Sequence, residues 1–135
     1  MNLKQKLSQK MKKTGGFTLI EMLIVVAIIA ILVVVSIPMV SSSLDKAKQA
    51  TDDANERAAK AAAMIQFMTD GLTVEEEYFY NAESGIAQTD KASPAITGYN
   101  QKEHNSVPEK EGCVKVTVSA DGTVATDNVV WESVK

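Results

Sequence analysis

Between Met22 and Val35 stand fourteen consecutive apolar residues with no charge among them, and a chain carrying such a run must remove it from water. Extended from Phe17 through Ile37 the segment has 21 residues. As a helix rising about 1.5 Å per residue it spans roughly 30 Å, the thickness of a bilayer's hydrocarbon. One acid, Glu21, sits at its head. A carboxylate in such a span costs on the order of 3 kcal/mol near the membrane centre, so an acid kept there needs a partner.

The flanks orient the segment. Residues 1–16 are polar and cationic, with Lys4, Lys6, Lys10, Lys12 and Lys13 and no periodic apolar face, and read as a targeting segment outside the fold. Positive flanks stay cytoplasmic, so the chain beyond Pro38 is expected outside. Loss of the five lysines leaves nine basic against 17 acidic side chains, a formal −8. An acidic chain without a basic patch repels phosphate backbones, so nucleic-acid binding is not expected. Residues 41–135 are enough for one small domain and no large catalytic core.

Pro38 removes one backbone donor and pushes against the Val34 carbonyl, which predicts a bend in an otherwise continuous helix. Ser41, Ser42 and Ser43 mark the membrane surface. From there the pattern turns amphipathic: Leu44, Ala47, Thr51, Ala54, Ala58, Ala61, Ile65 and Met68 recur at steps of three and four. This stripe is the expected inward face, its small residues admitting a sheet or another helix closely. Lys46, Asp52, Asn55, Glu56 and Lys60 are the expected wet face, and Gly71 the C-terminal stop. The helix is therefore divided into 17–40, the membrane part, and 41–70, the amphipathic continuation.

Residues 71–112 hold Gly85, Pro94, Gly98, Pro108 and Gly112 without sustained period and read as a loop region. Within it Glu75, Glu76 and Glu77 form an acidic turn before Tyr78, Phe79 and Tyr80, which are expected to seal sheet against helix. Cys113 to Val118 alternates as a half-buried strand. A turn at Ala120, Asp121 and Gly122, with the glycine left-handed, would set Val118 opposite Val124 and Val116 opposite Thr126. Val129 to Val134 is a third candidate strand whose Trp131 should bury against the alanine-rich helix. The expected fold is α+β: a long N-terminal helix packed on a small antiparallel sheet over 113–135.

Enzyme constellations are missing from the sequence. His104 lies in the polar stretch Gln101 to Ser106 and is expected to be solvated. No zinc, paired-cysteine or phosphate-loop motif occurs, and Asp121, Asp127 and Asn128 match no calcium loop. No catalytic residue, metal or cofactor is therefore expected. Cys113 is the single cysteine, so an intramolecular disulfide is impossible; it reads as a half-buried strand residue, with pairing between chains as the alternative.

Lys12-Lys13-Thr14-Gly15-Gly16-Phe17-Thr18-Leu19-Ile20-Glu21 and the apolar run after it resemble the class III signal of type IV prepilins and pseudopilins. The resemblance implies cleavage between Gly16 and Phe17 by a cytoplasmic prepilin peptidase, methylation of the new Phe17 amine, and a helix-loosening role for Pro38. It implies a filament built from copies of the chain by an assembly platform and its ATPase, with the subunit stored in the membrane beforehand. The motif covers about residues 10 to 40, and beyond them only the architecture matches. Ala30 stands where the family often has a glycine. The lone Cys113 departs from the disulfide-closed Gram-negative pilins, which leans toward a Gram-positive host.

The chemistry of that resemblance stands by itself. Cleavage leaves a cationic amine on Phe17 at the end of an apolar helix, and Glu21 of a staggered neighbour supplies its anion, so the pair would set register between subunits. Within the family the choices are a major pilin supporting adhesion or motility, a minor pilin, or a pseudopilin of a secretion or DNA-uptake apparatus. Outside it stand a membrane-anchored binding domain that never polymerises, and a secreted protein cut after Ser36, which would leave Glu21 and the Gly16-Phe17 junction unexplained.

Overall fold

A long helix, α1, runs from Leu19 to Asp70 in the computed structural model, which describes residues 2–3 and 17–135. Helical backbone continues on both sides of Pro38, which withdraws one donor without ending the helix. Gly71, at φ 64°, stops it in the left-handed conformation, as its position predicted. Contacts divide the described chain after Ser43, with Leu44–Lys135 forming the C-terminal unit.

In that unit four strands form one antiparallel sheet: β1 (Glu76–Asn81), β2 (Ile86–Gln88), β3 (Gly112–Val118) and β4 (Val129–Ser133), in the order β2-β1-β3-β4. The α+β architecture is the expected one, but its strands are differently distributed. The supposed loop region 71–112 supplies two of them. Tyr78 and Tyr80 turn inward while Glu77 and Phe79 turn away, an alternation obscured by the acidic run before it. The tyrosines do seal the sheet against the helix.

The anticipated hairpin register is also wrong. Gly122 adopts φ 83° and donates its N–H to Ser119 at 2.8 Å, so the tight turn exists. Yet Val116 pairs with Val129 and Val114 with Trp131, not with residues just beyond the turn. Val124 and the 3₁₀ turn Thr126–Asn128 form a longer connection, and the expected third strand is β3's direct partner.

A larger correction concerns the helix. Every member of the stripe Leu44, Ala47, Thr51, Ala54, Ala58, Ala61, Ile65 and Met68 is exposed, whereas Asp52, Ala59, Ala63 and Phe67 are buried. Ala59, Ala63 and Phe67 meet Tyr78, Tyr80, Val114, Val116, Val118 and Trp131 in the core. The inward face includes two residues assigned to water. Asp52 accepts the N–H groups of Gln101 and Lys102 at 2.7 and 3.0 Å, and Glu56 accepts Trp131 Nε1–H at 2.7 Å. Periodicity ranks apolar positions, so acids that face inward to meet donors invert the reading.

The segment between β2 and β3 is tied down by polar side chains. Tyr99 donates its hydroxyl to the Tyr80 carbonyl at 2.9 Å and accepts the Val114 N–H at 2.8 Å. Asn100, fully buried, donates to the Lys102 and Pro108 carbonyls and accepts the Gly112 N–H. Such a satisfied network fixes one loop path, each bond adding about 1 kcal/mol net. The sheet is thus held by polar ties as well as by packing.

His104 is not solvated. Its Nε2 lies 2.7 Å from Asp52 Oδ2, and its ring stacks on Trp131 with centroids 4.9 Å apart and planes 11° from parallel. Trp131 is buried as expected, while Cys113 is fully rather than half buried. Asp121 accepts from the Thr123 N–H and hydroxyl, a local turn, and no group of His, Cys, Asp or Glu able to hold a metal occurs among the described residues.

Candidate assembly site

Among the described residues, the N-terminal unit has no core in which to place its apolar side chains. The 18-residue window of highest mean hydropathy in α1, at 3.2, is 0% buried. Phe17, Leu19, Val34 and Met39 are all more than two-thirds exposed. A helix apolar on every side needs lipid or other helices around it. That requirement defines this surface as an interface.

The helix head is organised by two hydrogen bonds. Thr18 occupies the N-cap position, and its Oγ1 accepts the Glu21 N–H at 3.2 Å. Glu21 Oε2 in turn accepts the Thr18 N–H at 2.9 Å, closing a reciprocal capping box. Met22 N–H makes the first helical bond to the Thr18 carbonyl at 3.2 Å. Two donors at the helix start are therefore satisfied without water, and the carboxylate lies where the helix dipole favours negative charge.

Of the residues singled out from sequence, the structure places Phe17 and Glu21 at this head, with Phe17 77% exposed. Pro38 lies far along the helix and does not join them. Gly16 falls outside the described residues. Thr18 was missed as a functional residue, although Thr18-Leu19-Ile20-Glu21 before an apolar run is a legible capping-box pattern. No second acid or base accompanies Glu21 in the helix's first turn.

A membrane-length apolar helix with a capped acid at its head, continuing into an amphipathic half packed on a small antiparallel sheet, is consistent with the α+β fold of type IV pilins. Comparisons with known proteins agree. Residues 11–37 match the prokaryotic N-terminal methylation motif. The chain is also 39% identical over 74 residues to the type IV narrow pilus major component PilA5 of Thermus thermophilus, an alignment covering 54% of this chain and 64% of that relative. It thus spans less than two thirds of the relative's length. No solved structure matches it. The chain is thus similar to type IV pilins over its N-terminal motif and over part of one pilus component.

Proposed function

We propose that this protein is a structural subunit of a type IV pilus filament. The observation that carries the proposal is the uniformly exposed apolar half of α1, headed by Glu21 and overlapping the methylation motif. Before assembly the helix is stored in the cytoplasmic membrane with the C-terminal unit outside. Prepilin peptidase cuts between Gly16 and Phe17 and methylates the Phe17 amine. The assembly platform and its ATPase then move the subunit into a filament of identical copies. There each Glu21 meets a neighbour's Phe17 amine, and each charge offsets the other's desolvation. Pro38 loosens the helix during that transfer.

The relative's role as a narrow pilus major component supports a major subunit over a minor one. Sheared surface filaments test both points. If this chain dominates them by mass and begins at N-methylated Phe17, the reading holds. Absence from them moves it to a minor pilin or pseudopilin. Glu21→Ala should leave processing intact and abolish filaments, and unchanged filaments would sink the pairing.

A further inference from the structure

We infer that the cleft between α1 and the start of β4 is a docking site for the Val74–Glu75 corner of a second copy of this chain. The inference rests on the proposed filament function and concerns the C-terminal units, to which that function assigns no contact of their own. Arg57 and Lys60, three residues apart on one face of α1, line the cleft together with Glu56, and Thr126 and Val129 close it from the sheet side. It encloses about 190 Å³, enough to receive a side chain. Arg57 is the chain's only arginine, and neither it nor Lys60 has a hydrogen-bond or ion-pair partner among the described residues. Lys48, Lys91, Lys115 and Lys135 by contrast already face acids of their own chain. Glu56 commits its Oε1 to Trp131 Nε1–H, so two cations against one acid leave the cleft positive. Its occupant must bring a carboxylate, which a guanidinium can hold through two parallel bonds, and an apolar group to cover Val129.

The chain itself carries that combination. Copies with a formal −8 repel one another, so close packing needs cations where a neighbour's acids arrive. In the acidic run before β1, Glu77 faces Lys115 at 3.7 Å and Glu76 Oε1 accepts the Glu77 N–H. Glu75 is exposed and has no partner among the described residues. Val74 beside it is 61% exposed, and both lie on the short connection between α1 and β1, where a corner can enter a cleft as a helix face cannot. Glu83, on the turn between β1 and β2, is exposed too but has only Ala82 and Ser84 beside it. Corner and cleft lie apart in one chain, because β3 stands between β1 and β4. Contact between copies is therefore heterologous, and a heterologous contact that does not close on itself propagates as a filament.

The test uses filaments of the full chain from its own cells. Arg57→Cys combined with Glu75→Cys is treated in intact filaments with a bismaleimide, since a paired arginine and glutamate hold their Cα atoms beyond the roughly 7 Å reach of a disulfide. The unaltered chain is the blank, its Cys113 being fully buried. The double variant should give a ladder of dimers, trimers and longer species on denaturing gels, the mark of a head-to-tail contact, while each single variant stays monomeric. Arg57→Glu should lower filament yield roughly tenfold, and Glu75→Arg in the same chain should restore most of it, because the exchange returns opposite charges to the contact. Monomers alone from the double variant, as a cleft serving only free anions or lipid phosphate would give, overturn the inference. So do an unchanged yield from Arg57→Glu, a failed rescue, or an equal ladder from Arg57→Cys with Glu83→Cys. Absence of filaments from the unaltered chain would instead sink the filament function beneath it, so the two failures are distinguishable.

Discussion

His104 Nε2 and Asp52 Oδ2 lie 2.7 Å apart across 52 residues of sequence, joining the loop after β2 to the middle of α1. Asp52 is fully buried and collects three donors, the Gln101 and Lys102 N–H groups and the His104 ring. His104 in turn stacks on Trp131, and Trp131 donates to Glu56 on the next turn of the helix. Loop, helix and β4 are thereby closed into one ring of contacts.

Asp52→Leu should be among the most damaging single changes in the C-terminal unit. It strands two backbone donors and the imidazole in a dry site, a loss of about 3–5 kcal/mol. His104→Ala removes one bond and one stacking face and should cost about 1–2 kcal/mol. Thermal unfolding of the detergent-solubilised chain would rank them, and equal effects would refute a central role for Asp52.

Ala63 and Ala61 give a sharp test of which helix face is inside. Ala63 is fully buried between Phe67 and the sheet, so Ala63→Leu should overpack the core and destabilise by about 1–3 kcal/mol. Ala61 is exposed, and Ala61→Leu should stay within about 0.5 kcal/mol. The same melting experiment reads both, and the periodic stripe alone would have given the opposite order.

Cys113 should be silent chemically. Burial pushes its thiol up to about 11, and the side chain is fully enclosed in β3. Maleimide at neutral pH should label it only after denaturation, because little thiolate forms and none is reachable. A dimer on non-reducing gels that reductant dissolves would contradict the burial.

Glu132 should contribute to acid sensitivity. Burial by itself would raise its carboxyl, but the ammonium groups of Lys91 and Lys115 outweigh that and hold it below the ordinary carboxylate range. Lys91 Nζ hydrogen-bonds Oε1 at 3.1 Å, and Lys115 Nζ faces Oε2 at 3.3 Å as an ion pair. A carboxyl lowered on folding stabilises fully above its unfolded value, about 4.3, and loses that contribution as pH falls through the folded one. The melting temperature of Glu132→Gln should therefore lie below that of the unaltered chain at pH 6. The gap should close toward about pH 3. A constant gap would mean that charge is not its origin.

How much could be read without coordinates differs along the chain. The apolar run, Glu21 at its head and the stop at Gly71 depend on local chemistry: side-chain solubility, one charge in hydrocarbon, and a glycine where φ is positive. Those features need no distant partner, so adjacent residues suffice to reveal them. The Thr18 cap belongs to the same group, since both its bonds lie within one helical turn.

Everything that required a partner far away in sequence went to the tertiary structure. Asp52 and Glu56 face inward only because the Gln101 and Lys102 amides, His104 and Trp131 arrive from loop and sheet to satisfy them. Val116 pairs with Val129, and not with Thr126, because the chain past Gly122 spends several residues returning to the sheet. The sequence by itself determined a membrane-length helix with an acid at its head, because solvent and backbone chemistry act on neighbours. Only the tertiary structure decided which face of the amphipathic half lies inside, because buried polar groups are stable only where their donors and acceptors converge.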